Sequence, residues 1–123
     1  MKIQESAENY LETILILSRR NPYVRSIDIA NELAFSKPSV SVAMKHLREK
    51  GYINVNPSGF ITLTDSGLSI ASSIYERHIF FSNWLVSLGV SEETAAEDAC
   101  KMEHQISAES FQAIKNFIQN HKN

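Results

Sequence analysis

The sequence predicts a mainly α protein, with a winged helix-turn-helix over residues 1–64 followed by an all-helical domain over residues 65–123. Three observations carry this. Two short amphipathic segments are joined through Phe35-Ser36-Lys37, the apolar period switches from helical to alternating after Gly51, and helical spacing returns from Thr64 onward with no further strand signal.

The elements follow in order. From Glu8 to Leu17 the residues Tyr10, Leu11, Ile14, Leu15 and Leu17 recur at helical spacing, and Ser18-Arg19-Arg20-Asn21-Pro22 stops the pattern. Ser26 is the expected N-cap of a short helix whose Ile29, Ala30 and Leu33 face inward. Pro38 suits the first turn of the next helix, where its missing N–H costs nothing, with Ser36 or Lys37 as cap. In that helix Val40, Ala43, Met44 and Leu47 share one side. Pro38, Ser41, Val42 and Lys45 share the other, with Arg48 flanking and Gly51 as the stop. Ile53 and Val55, a Pro57-Ser58-Gly59 turn, then Ile61 and Leu63 make a β-hairpin wing.

Thr64 caps a long helix that runs to about Leu88 and ends at Gly89. Ala71, Ile74, His78, Phe81, Leu85 and Leu88 form one packing seam, and Tyr75, Ile79, Phe80 and Trp84 a second apolar side. A helix apolar on two sides must be covered on two sides. In so short a chain a second copy is the economical cover, so Ile74, Phe81, Trp84, Leu85 and Leu88 are the expected homodimer contacts. Ser91 caps a helix with Glu92, Glu93, Glu97 and Asp98 toward its positive end, and Ser107 caps a last helix striped by Phe111, Ile114, Phe117 and Ile118. The tail from His121 is expected to fray.

Composition limits the function classes. At 123 residues, 43% hydrophobic and 21% charged, with 4 Gly and 3 Pro, the chain reads as folded throughout, as one domain or two small lobes. It has no apolar run of membrane-spanning length, and Met1-Lys2-Ile3-Gln4-Glu5 lacks a signal-peptide core. With one cysteine, an intrachain disulfide is excluded, so a cytoplasmic protein without a membrane partner is expected. The net charge of −2 is uneven: residues 1–64 carry 8 basic against 6 acidic side chains, and residues 65–123 carry 4 against 8. The first half suits a polyanion and the second suits cations. No glycine-rich phosphate loop or internal repeat is present.

The exposed side of the second helix of the helix-turn-helix is small, polar and basic, which is what a DNA major groove accepts. Ser36, Pro38, Ser39 and Val42 are the expected base readers; Lys37, Lys45 and Arg48, with Lys50, serve phosphates, and Ser41 lies on the same face. The other chemistry-bearing stretch is Cys100-Lys101-Met102-Glu103-His104. On a helix, positions 100, 103 and 104 fall at i, i+3 and i+4, so a thiol, a carboxylate and an imidazole project together. Thiolate with imidazole suits Fe(II), Co(II), Ni(II) or Zn(II), and the carboxylate extends the range toward Mn(II).

The order of elements and these motifs together resemble the diphtheria-toxin-repressor and manganese-transport-regulator family of metal-dependent transcriptional repressors. The residues that carry the resemblance are Glu8-Asn9-Tyr10-Leu11-Glu12, Ile27-Asp28-Ile29-Ala30, Ser36-Lys37-Pro38-Ser39-Val40, Leu63-Thr64-Asp65-Ser66-Gly67, Arg77-His78 and the Cys100–His104 pentad. The resemblance implies a homodimeric repressor of metal-uptake genes on a pseudo-palindromic double-stranded operator, activated by Fe(II) or Mn(II), with no organic ligand. It implies metal ligands at Asn9, Glu12, His78, Cys100, Glu103 and His104. Manganese-type relatives have Asp at position 9 and a carboxylate at position 100, and iron-type relatives have Met at position 9 and Cys at position 100. The iron-type ancillary site asks for Glu and His where this chain has Ser82 and Ala96, and larger relatives append an SH3-like domain for which the chain has no room. Two alternatives compete: a winged-helix redox sensor using Cys100 without metal, against which stands the lack of a resolving cysteine, and a metalloenzyme, against which stands the lack of a cleft-forming loop, so that no enzymatic activity is expected.

Overall fold

The computed structural model describes residues 5–121. Met1–Gln4, read above for a leader, and Lys122 and Asn123 of the tail lie outside the described residues. Among the described residues, six helices and a two-stranded hairpin follow the expected order, and the chain divides into two compact units, Met1–Ser73 and Ile74–Asn123.

In the first unit, α1 runs from Glu5 to Arg20, longer than the apolar pattern alone suggests. The stop is set by Pro22, which disfavours helix in the residue before it. Arg19 and Arg20 in the last turn favour the negative end of the helix dipole. Helix α2 spans Ser26–Leu33, and its cap differs from expectation: Arg25 is the N-cap residue, and its backbone N–H donates to Asp28 Oδ2 at 2.9 Å. Ala34 closes α2 in the left-handed region (φ 58°), conformational strain held by its place in a tight turn. Helix α3, Lys37–Glu49, starts with Ser36 as cap and Pro38 in its first turn, and buries Val40, Met44 and Leu47.

Strands β1 (Ile53–Val55) and β2 (Ile61–Leu63) pair antiparallel with Ile53 opposite Leu63. The alternating pattern did not reveal a further bridge, in which Ile61 N–H donates to Val24 O at 2.7 Å and ties the α1–α2 connection to the wing. Leu11, Ile14, Leu15, Val24, Ile29, Val40, Met44, Leu47, Ile53 and Ile61 form the core of this unit.

Helix α4 covers Asp65–Ser87, and its first turns cluster with the first unit. The reason is local. Thr64 Oγ1 donates to Gly51 O at 2.7 Å and accepts from Gly67 N–H, while Thr64 N–H donates to Tyr52 O. A Cβ on Gly67 would lie 2.0 Å from the Tyr52 carbonyl oxygen, so only glycine permits this approach of α4 to the base of the wing.

The second unit holds the rest of α4 with α5 (Glu92–Gln105) and α6 (Ala108–Asn120), capped by Ser91 and Ser107 as expected. Its core is Phe81, Ala99 and Phe111, flanked by Phe80, Trp84, Met102 and Ile106. The Phe80, Phe81 and Phe111 rings meet edge-on at centroid separations of 5.5–5.6 Å, the arrangement that aromatic quadrupoles favour.

Candidate metal centre and nucleic-acid interface

Helix α5 brings the pentad donors together: one ligand atom each from Cys100, Glu103 and His104 lies within 4.8 Å of the others. Glu103 is the floor of the site. Its side chain is 0% exposed, with Oε2 at 3.0 Å from His78 Nδ1 of α4 and Oε1 at 3.2 Å from His104 Nε2. His78 is 25% exposed and His104 only 2%, whereas Cys100 sits at the exposed rim. A carboxylate withdrawn from water costs several kcal/mol, on the order of magnitude seen for buried ions, unless partners compensate it. Here His78 hydrogen-bonds one carboxylate oxygen, while Glu103 Oε1 and His104 Nε2 lie 3.2 Å apart without hydrogen-bond geometry, and both imidazoles are metal donors. The thiol, carboxylate and imidazole of Cys100, Glu103 and His104 fit a divalent transition metal, and His78 adds a second imidazole at the other carboxylate oxygen.

Asn9 and Glu12 lie three apart on α1 of the first unit, Asn9 half-buried and Glu12 buried, and the main-chain carbonyl of Asn9 accepts from Thr13 Oγ1 at 2.8 Å. Ser82 and Ala96 occupy α4 and α5 as the sequence requires, and neither can ligate a metal as Glu and His would.

On α3, Lys37, Pro38, Ser41, Val42, Lys45 and Arg48 are all exposed, as a groove-reading face requires. Ser36 and Ser39 are exposed too, but engaged with each other: Ser36 Oγ donates to Ser39 Oγ at 2.8 Å and accepts from Ser39 N–H at 3.3 Å. Sequence reasoning missed His46, which is exposed on the same helix and lines a cavity of about 210 Å³ with Tyr10, Val42 and Lys50. It also missed Arg25 stacked 4.5 Å over Phe60 at the wing, where the partners are too far apart in sequence to suggest a pair.

The expected dimer contacts divide by exposure. Phe81 is 0% exposed and Ile74 is likewise buried, so both are spent inside the protomer. The α6 ring Phe111 packs on Phe81 within the protomer. Trp84 and Leu85 are half-buried and Leu88 is 64% exposed.

A winged helix in series with a helical unit that gathers thiol, carboxylate and imidazole donors defines a metal-responsive DNA-binding regulator. The chain belongs to the iron-dependent repressor family: residues 2–59 match its N-terminal DNA-binding domain and residues 64–123 its metal-binding and dimerisation domain. It is 35% identical over 122 residues, 98% of each chain, to an uncharacterized HTH-type transcriptional regulator of Methanocaldococcus jannaschii. It is 37% identical over 118 residues to the transcriptional regulator MntR of Escherichia coli, covering 96% of this chain and 76% of the relative. Among solved structures it is similar to the manganese regulator SloR, with TM-score 0.80 and 27% identity over 97% of this chain. It is also similar to IdeR of T. acidophilum, with TM-score 0.76 and 26% identity over 95% of this chain. The chain spans about half the length of those two solved chains, 55% in each case. These likenesses support the metal-dependent reading and lend nothing to a metal-free redox sensor at Cys100. No helix among the described residues is long and apolar enough to cross a membrane.

Proposed function

We propose that the chain is a cytoplasmic, non-enzymatic repressor of metal-uptake genes that binds a pseudo-palindromic operator as a homodimer when Fe(II) or Mn(II) is bound. Co(II), Ni(II) or Zn(II) can substitute. The observation that carries the reading is the buried Glu103 carboxylate, set between two imidazoles and one helical turn from a thiol, within the stretch that matches the metal-binding family model. His78, Cys100, Glu103 and His104 are the proposed ligands from residues 65–123. Asn9 and Glu12 are the proposed ligands from residues 1–64, on the resemblance and on the burial of Glu12.

A bound divalent cation supplies the positive charge that carboxylates and a thiolate need to sit close together. Glu12 and Glu103 contribute anionic oxygens, and Cys100 contributes the softest donor, at the rim. In the DNA-binding half, Lys37, Lys45 and Arg48 hold phosphates while Ser36, Pro38, Ser39 and Val42 meet base edges, with Ser41 beside them. Dimer contacts fall to the accessible residues of α4, namely Trp84, Leu85 and Leu88.

Cobalt titration tests the donor set. Co(II) should produce a near-ultraviolet thiolate charge-transfer band in the wild type and none in Cys100→Ala, and Co(II) or Fe(II) should bind more tightly than Mn(II). An equal band in both proteins would remove Cys100 from the site. A separate measurement addresses the interface: Lys45→Ala should weaken binding to all sequences alike and lower the slope of log affinity against log salt by about 0.9, one phosphate's worth. An unchanged slope would mean that Lys45 faces away from the duplex.

A further inference from the structure

We propose that Arg77 is a positioning residue for the metal centre: it holds the last turn of α5, and through that turn the donors Glu103 and His104. The inference rests on the metal-site reading given above.

Arg77 Nη1 donates to two backbone carbonyls, Glu103 O at 3.1 Å and Ile106 O at 2.8 Å. Its guanidinium also lies 5.6 Å from the centre of the Phe111 ring, which packs in the core of this unit and restricts where the side chain can go. The need for such a cap follows from the way α5 ends. The last four carbonyls of any helix lack intrahelical donors. Helices α2, α3 and α4 turn off through left-handed residues, Ala34, Gly51 and Gly89, the conformation that lets the following N–H groups fold back onto those carbonyls. Helix α5 instead ends at Ile106 in an extended conformation (φ −103°, ψ 141°). A cation donating to its terminal carbonyls takes the place of the missing turn and complements the negative end of the helix dipole.

What makes this more than a structural staple is which turn is held. Glu103 and His104 lie in the capped turn, and Cys100 lies one turn earlier. The neighbouring residue on α4, His78, approaches the carboxylate of the very residue whose carbonyl Arg77 binds. Consecutive α4 residues therefore grip Glu103 by its main chain and by its side chain. A ligand pair on a turn free to fray would pay an ordering cost whenever it binds an ion, and Arg77 removes that cost in advance.

The test uses the full chain, with Co(II) as the probe, at a temperature where far-ultraviolet circular dichroism shows wild-type helix content. Arg77→Gln should lower Co(II) affinity by about 10- to 100-fold, the effect typical of losing an outer partner of a metal ligand. Arg77→Lys keeps the charge but has a single donor centre, and should fall between Arg77→Gln and the wild type. At saturating Co(II) the Cys100 thiolate band should persist in both variants. Amide hydrogen exchange in the metal-free protein should speed up at residues 103–106 while residues 95–100 keep their protection. A role confined to stability would lower the melting temperature and leave Co(II) affinity of the folded protein within about twofold of wild type, and that result overturns the proposal. If Arg77→Gln fails to fold, Arg77→Lys carries the same two readouts. Failure of the underlying metal reading has its own signature, since the wild type itself would then bind no Co(II).

Discussion

Excess EDTA should lower the affinity of the chain for its operator by roughly 5- to 150-fold, the range that ordinary coupling energies of about 1–3 kcal/mol span, and Mn(II) or Fe(II) should restore it. The expectation follows from where the proposed ligands lie. Glu12 is on α1, which packs on α2 and β2 inside the winged helix, and the remaining strong donors are on α4 and α5. Under the proposed function, metal loading of the helical domain and operator binding by the winged helix are coupled. By linkage, operator DNA should tighten metal binding by the same factor. A gel-shift at fixed salt measures the effect. Unchanged affinity in protein shown by elemental analysis to be metal-free would refute it.

Glu103→Gln should produce two changes of unequal size. Glutamine keeps the shape of the side chain and removes its charge, so the metal loses its most buried anionic ligand. Affinity for Co(II) or Mn(II) should fall by more than the roughly 10- to 100-fold typical of losing only an outer partner. The metal-free protein should unfold within a few degrees of the wild type, because the glutamine amide keeps the shape of the side chain and can still hydrogen-bond His78. Calorimetry of the metal-free proteins and metal titration of both give the two numbers. A loss of stability equal to the loss of metal affinity would make Glu103 a structural ion-pair partner and point the metal elsewhere.

Much of the molecule was legible because it is locally encoded. The inward stripe of α3, the Pro38 start, the alternation of the wing and the serine caps at Ser36, Ser91 and Ser107 each depend on residues within one or two turns, which periodicity and cap chemistry can see. What was missed depends on distant partners. Val24 has no period of its own, and its bridge exists because β2 passes beside it. Asp28 closes the start of α2 through the backbone of Arg25, so the serine at position 26 is not needed as the cap. The apolar pattern of α4 showed that it needs cover, and α6 supplies some of it through Phe111, a pairing of helices that periodicity alone cannot name. In the proposed metal centre Cys100, Glu103 and His104 were visible from their spacing and Asn9, Glu12 and His78 only from the family resemblance, whereas the burial of Glu103 and the hold of Arg77 on its carbonyl are properties of packing between helices.

The mutual bonding of Ser36 and Ser39 gives the proposed reading head a resting state. Two hydroxyls that satisfy each other in the free protein have somewhere to return when the base edge offered to them is wrong. A mismatch there forfeits new bonds without stranding old ones, so it costs less than the roughly 1–3 kcal/mol lost when a bidentate reader meets the wrong base. A repressor reading bases through those serines would tolerate drift at the positions they face, and would depend on half-site spacing and on apolar contact at Val42 to tell one promoter from another.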